Sequence, residues 1–138
     1  TWEQRDIKMI EINGIVKTER AKPAIMLTGA HHARELTSIQ MPLYSILRML
    51  QGLVHNDQKY INMLAQNIYY VVPVVNVDGV AAISDHFIKT GEIQMIRKNM
   101  NPNTQTCNGN PETKGVDLNR NYGVSWSKEG GSSTDPCE

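Results

Sequence analysis

Four short clusters hold the residues of this chain whose types and spacing could do chemistry. They are His32-Ala33-Arg34-Glu35, Asn76-Val77-Asp78-Gly79, Met95-Ile96-Arg97-Lys98-Asn99 and Gly115-Val116-Asp117-Leu118-Asn119-Arg120-Asn121-Tyr122. A His and a Glu three residues apart, at the mouth of an apolar strand, can bring an imidazole nitrogen and a carboxylate oxygen to one zinc ion. Two ligands fall one short of the three that a catalytic zinc generally takes from protein. The arginines offer other chemistry. A guanidinium fork grips a carboxylate through paired, charge-assisted hydrogen bonds, and a fixed cation aimed at a carbonyl oxygen stabilises the negative charge that develops there. Read singly, each group has a plainer meaning: His32 and Glu35 as a polar i, i+3 pair, Arg97 with Lys98 as a solvated basic pair, Arg120 as a loop partner of Asp117. Asp78-Gly79 reads as a structural turn, His31 as a residue turned away from His32, and His55 and His86 as surface histidines.

The elements that must position these clusters follow from the apolar pattern. Ile7 to Ile12 reads as a strand ended by Asn13-Gly14, and a polar stretch from Lys17 to Lys22 leads through Pro23 into a short buried-type strand, Ala24 to Thr28. Beyond the first cluster the period changes. Ile39, Leu43, Ile46, Leu47, Leu50, Leu53 and Val54 recur at helical spacings and predict one apolar helix face. A second short helix is expected over Tyr60 to Ala65, then a buried strand from Ile68 to Val75, with Pro73 marking an end or irregularity. Asn76 to Gly79 reads as a turn. After Gly91 regular period is lost, and the stretches Lys98 to Thr113 and Tyr122 to Cys137 read as long loops of the kind that serve function or await packing partners. Strand, helix, strand with clusters at strand ends argues an α/β fold whose site opens at those ends.

Composition narrows the class. The chain has 138 residues, 40% apolar and 20% charged, with 14 basic and 14 acidic side chains balancing to a net charge of +0. That is enough for one domain with a core, and it carries no field that would draw the chain to nucleic acid or an anionic membrane. No apolar run is long enough to cross a bilayer, and Thr1-Trp2-Glu3-Gln4-Arg5 lacks a signal pattern. Cys107 and Cys137 lie in Asn-, Gly- and Ser-rich sequence, where they are either two free thiols or a disulfide. The loop-like surroundings favour the disulfide and, with it, a secreted or extracytoplasmic location.

Taken together, the four clusters resemble the zinc metallocarboxypeptidases, the A/B-type branch of peptidase family M14. His32-Ala33-Arg34-Glu35 combined with Asp117-Leu118-Asn119-Arg120-Asn121-Tyr122 is a specific signature, and the likeness runs over nearly the whole chain, including Gly130 to Cys137. The resemblance implies an α/β fold with a mixed, mostly parallel sheet sandwiched by helices (phosphorylase/hydrolase-like), here incomplete. Residues 1–138 would be the N-terminal part of a single catalytic domain whose C-terminal part is absent. His32 and Glu35 would be zinc ligands and Arg97 would face the oxyanion. Asn119 and Arg120 would hold the free C-terminal carboxylate of the substrate, Arg34 its backbone just upstream, and Asp117 would hydrogen-bond His32 from behind. One Zn2+ per complete domain is implied, with peptide or protein C-termini as substrates and the missing half of the domain as a partner. The family's third ligand, a His, and its general base, a Glu, would lie past Glu138; His55, His86 and Asp78 are poor substitutes. Two rivals stand beside this reading: a non-catalytic binding or structural protein on the same fold, and a zinc deacylase of N-acyl amino acids.

Overall fold

A computed structural model describes residues 1–14, 21–124, 126, 132–133, 135 and 137. Residues 17–20 of the expected polar stretch, and residues 130, 131, 134 and 136 near the second cysteine, lie outside the described residues. The chain divides into two compact units, one formed by Lys8–Gly29 and Thr37–Pro73, the other by Thr1–Ile7, Ala30–Leu36 and Val74–Glu138.

Among its described residues the first unit is a mixed three-stranded sheet with two helices. Strands β1 (Ile10–Asn13), β2 (Ala24–Thr28) and β3 (Ile68–Val72) stand in the order β1-β3-β2. β1 runs antiparallel to β3 with Ile12 opposite Tyr69, and β2 runs parallel with Leu27 opposite Val71. The central position goes to the run richest in β-branched and aromatic residues, as expected of a strand flanked on both edges. β3 stops at Val72 because Pro73 has no N–H to extend the ladder.

Helices α1 (Thr37–Val54) and α2 (Gln58–Gln66) complete this unit. Ile46 and Met49 of α1, Leu64 of α2, and Tyr69 and Val71 of β3 form its buried core. The helix is where the periodicity predicts it, but the buried stripe is Pro42, Ile46, Met49 and Gly52. Leu43, Leu47, Leu50, Leu53 and Val54, expected on the inward face, are exposed. Gly52 explains the rotation. A Cβ there would lie 2.1 Å from Cδ2 of Tyr60, so only glycine lets α2 approach at that turn.

Among its described residues the second unit holds one α-helix, α3 (Val77–Thr90), with short 3-10 turns and long connecting segments. The turn expected at Asn76 to Gly79 is instead the start of this helix. Asn76 is its N-cap, accepting a hydrogen bond from the Gly79 N–H, and Gly91 closes it in the left-handed conformation at φ 78°. Asn, Asp and Gly serve turns and caps through the same local hydrogen bonds, so composition alone did not separate the two. Ala33, Ile83 and Ile96 form the core here, with Val80, Ala82 and Met100 packed against them.

Candidate metal centre

His32 and Glu35 sit in the segment four to seven residues past the end of β2, within the second unit. This segment is held along its backbone: the Ala33 N–H donates to the Arg97 carbonyl at 3.3 Å, and the Arg34 N–H to the Ile96 carbonyl at 2.8 Å. Burial of Ala33 and Ile96, at 0% and 2% exposure, fixes both sides of this contact in the unit's core.

The side chains then converge. His32 is buried, with Nδ1 2.7 Å from Oε1 of Glu35 and Nε2 3.0 Å from Oδ1 of Asp117. The other Asp117 oxygen accepts from the Nε–H of Arg97 at 2.6 Å, and Oδ1 also accepts from the Asn119 N–H at 3.0 Å. Burial tends to raise the Asp117 carboxyl. The hydrogen bond and charge of Arg97, with a smaller contribution from His32, more than offset this and hold it below the ordinary carboxylate value. An ionised carboxylate can only accept, so the imidazole proton lies on Nε2. Nδ1 faces a second carboxylate, that of Glu35.

Two electron-pair donors 2.7 Å apart need an electrophile between them, a proton or a metal ion. An imidazole and a carboxylate, with the imidazole fixed from behind by a second carboxylate, are a donor set suited to zinc. Glu35 is half exposed on its side chain, so the pair can part to admit an ion. Among the described residues, no group of three His, Cys, Asp or Glu is arranged to hold a metal ion. The chain's described donors therefore fit a zinc site in part, with two ligands in hand.

Beside this centre lies a cleft of about 640 Å³, lined among others by Arg97, Lys98, Asp117, Arg120 and Asn121. Arg97 and Arg120 thus face one space, with Asp117 linking that space to His32. Asp117 also caps the short 3-10 turn Leu118–Arg120 that carries Arg120. Arg120 donates from Nη1 to the Asn119 carbonyl, and its own carbonyl accepts from the Ser132 hydroxyl. Arg34 and Asn119 are not among the residues that line the cleft; both are exposed, Asn119 on the same short turn as Arg120. His31 bonds Tyr122 Oη through Nε2 at 2.7 Å. Asp78 is buried and points to the chain's first residues, accepting from Thr1 Oγ1, the Glu3 N–H and Arg5. His55 is exposed and His86 half-buried on α3.

Sequence reading missed the polar groups that hold these segments. The Asn76 side chain bonds the backbone at His31, Arg97 and Lys98. Asn99 Oδ1 accepts from the Val116 N–H at 2.8 Å, while its own N–H donates to the Val116 carbonyl. Gly115, at φ 107°, lets the chain pass close to Met100. Only the recurrence of Asn within the clusters hints at this. Cys107 and Cys137 form a disulfide, which closes the question the sequence leaves open.

Comparison with known proteins places the chain. A family model described as zinc carboxypeptidase matches residues 1–138. A zinc carboxypeptidase from Saccharothrix mutabilis subsp. capreolus is 30% identical over 91% of this chain and 26% of its own length. Carboxypeptidase B from Helicoverpa zea is 31% identical over 99% of the chain and 29% of its own length. Metallocarboxypeptidase A from Trichophyton tonsurans is 35% identical over 86% and 25%. The crystal structure of thrombin activatable fibrinolysis inhibitor superposes with a TM-score of 0.70 and 26% identity, over 99% of this chain and 30% of that one. The chain thus spans between a quarter and a third of the length of these proteins. With its whole length matched by the family model and its mixed α/β architecture shared with a solved relative, the chain belongs to the zinc carboxypeptidase family.

Proposed function

We propose that this chain forms part of the catalytic domain of a zinc-dependent metallocarboxypeptidase that removes residues from the C-termini of peptides and proteins. The observation that carries the reading is the His32 imidazole, held through Nε2 by the ionised Asp117 and presenting Nδ1 to Glu35. His32 and Glu35 would hold the zinc. When bound, that ion supplies Lewis-acid polarisation of a carbonyl and acidification of a water.

The chain's own residues do the rest of the work assigned here. Asp117 keeps the His32 proton on Nε2, so that Nδ1 stays available as a donor. The same carboxylate orients Arg97, whose guanidinium lines the cleft and would stabilise negative charge on the oxygen of a scissile carbonyl. Arg120, on the far end of the turn that Asp117 caps, would bind the substrate's terminal carboxylate in the same cleft, assisted by Asn119. Arg34, exposed next to the metal pair, would meet the peptide backbone upstream. The disulfide supports an oxidising, extracytoplasmic setting.

The test compares kcat/KM for peptides with free and amidated C-termini, using the whole protein that carries this chain. Free termini should be strongly preferred, and Arg120→Ala should abolish the preference by slowing only the free-terminus reaction. An Arg120→Ala protein that still distinguishes the two substrates sinks the reading. Turnover of N-acyl amino acids in place of dipeptides would point to the deacylase instead.

A further inference from the structure

Asn76 is buried to 2% exposure and is used at both ends of its amide. Oδ1 caps α3 through the Gly79 N–H at 3.0 Å. On the other side Nδ2 faces three backbone carbonyls, Lys98 at 3.1 Å and His31 and Arg97 at 3.3 Å each. Two N–H groups cannot serve three acceptors equally, so Lys98 takes the shorter bond and the longer pair share the remainder. The Asn76 backbone N–H adds a fourth tie, to the Ala30 carbonyl at 2.9 Å.

These acceptors belong to the backbone immediately before His32 and at Arg97 itself. A helix cap needs only the oxygen. The donor side has a separate consequence, because it fixes the segment bearing the imidazole against the segment bearing the guanidinium. Asp117 can bond His32 and Arg97 at once only if those two segments stay in register. Gly79 reinforces the arrangement. A Cβ there would come within 2.7 Å of both Ala33 Cβ and Asn76 Oδ1, so the helix start is pressed against the His32 segment.

We propose that Asn76 is a positioning residue for the metal centre, its side-chain NH2 clamping the His31, Arg97 and Lys98 carbonyls so that Asp117 meets His32 and Arg97 together. The inference rests on reading His32 and Glu35 as a metal pair. Asn76→Ser separates the two ends of the amide, since serine can cap Gly79 but has no NH2 to clamp the carbonyls. Asp57→Ala, which removes the comparable cap of α2, controls for a general loss of stability.

Two readouts on the whole protein that carries this chain decide the matter. In zinc calorimetry, Asn76→Ser should bind zinc about 10-fold or more weakly than the unsubstituted protein, the scale seen when groups behind a ligand are lost. Asp57→Ala should leave zinc affinity unchanged. In amide hydrogen exchange, the Ala33 and Arg34 N–H groups, bonded to Arg97 and Ile96, should exchange faster in Asn76→Ser alone. Unchanged zinc affinity and unchanged exchange in Asn76→Ser overturn the positioning role while leaving the metal pair intact. Equal zinc binding by His32→Ala and the unsubstituted whole protein overturns the metal reading, and the positioning role with it. Should Asn76→Ser fail to fold, the unsubstituted protein still tests the clamp: slow exchange of the Asn76 side-chain NH2 with solvent supports it, and rapid exchange contradicts it.

Discussion

Replacing Asp117 by Asn keeps its shape and removes its charge, which makes it the sharpest probe of the network around His32. The carboxylate accepts from His32 Nε2, from the Asn119 N–H and from Arg97 Nε. An amide has one acceptor end. With its oxygen toward His32 and Asn119, its NH2 meets the Arg97 N–H donor to donor; turned over, it meets the other two. One side of the network is lost in either case. A hydrogen bond to a charged partner contributes about 1.5–3 kcal/mol. Arg97 keeps 26% of its side chain exposed, so water recovers part of that. The expected loss is therefore near the lower end, ~2 kcal/mol of unfolding free energy by urea titration. Zinc affinity should fall by about 10–100-fold as the imidazole loses its anchoring carboxylate. A variant within about 0.5 kcal/mol of the parent, the range of ordinary surface changes, and with zinc binding unaltered, would refute the network as described.

Three further outcomes are expected. Burial works to raise the Asp78 carboxyl, but the Glu3 N–H, the Thr1 hydroxyl and Arg5 together hold it below its ordinary value. Its contribution is thus fully present above the unfolded Asp pKa of about 3.9 and lost as pH falls through the lower folded value; Asp78→Asn should be destabilised at pH 7, with the gap to the parent closing below about pH 4 in denaturation series. Cys107→Ser with Cys137→Ser removes a link across a sequence separation of 30, and urea unfolding should register a loss of about 3.6 kcal/mol from loop entropy. Gly115→Ala should cost about 1–3 kcal/mol of stability, read as a lowered Tm, because residue 115 holds φ 107° and a Cβ would sit 2.5 Å from the Met100 nitrogen.

What the sequence made legible follows from how locally each feature is encoded. β2 and β3 are short apolar runs bounded by Pro23 and Pro73, and both stand where that punctuation puts them, but β2, expected to be buried, is a largely exposed edge strand. Helix α1 was readable as a helix, but which part of its apolar face turns inward was not, because that face is wider than the buried stripe and the decision lies with Gly52 meeting Tyr60. Helix α3 hid behind Asn76-Val77-Asp78-Gly79, whose residue types serve turns as well as caps; Gly91 at its end was the available signal. In the site, the His32–Glu35 spacing is local and was legible from the residues alone. The ties from Asp117 to His32 and Arg97 span 85 and 20 residues, and only the family resemblance suggested the first of them. The Asn76 clamp had only the recurrence of Asn in the clusters as a hint, since a side-chain amide bonding backbone carbonyls imposes no residue type on its partners.

The central claim is that His32 offers Nδ1 to a metal while Asp117 retains its Nε2 proton. Long-range 15N–1H spectra of the histidine side chains, recorded through a zinc titration, test it directly. The account predicts that zinc moves the Nδ1 resonance of His32, with Nε2 still protonated, and that Glu35→Ala weakens the response. Coordination through Nε2, or zinc that shifts His31, His55 or His86 and leaves His32 untouched, would contradict it.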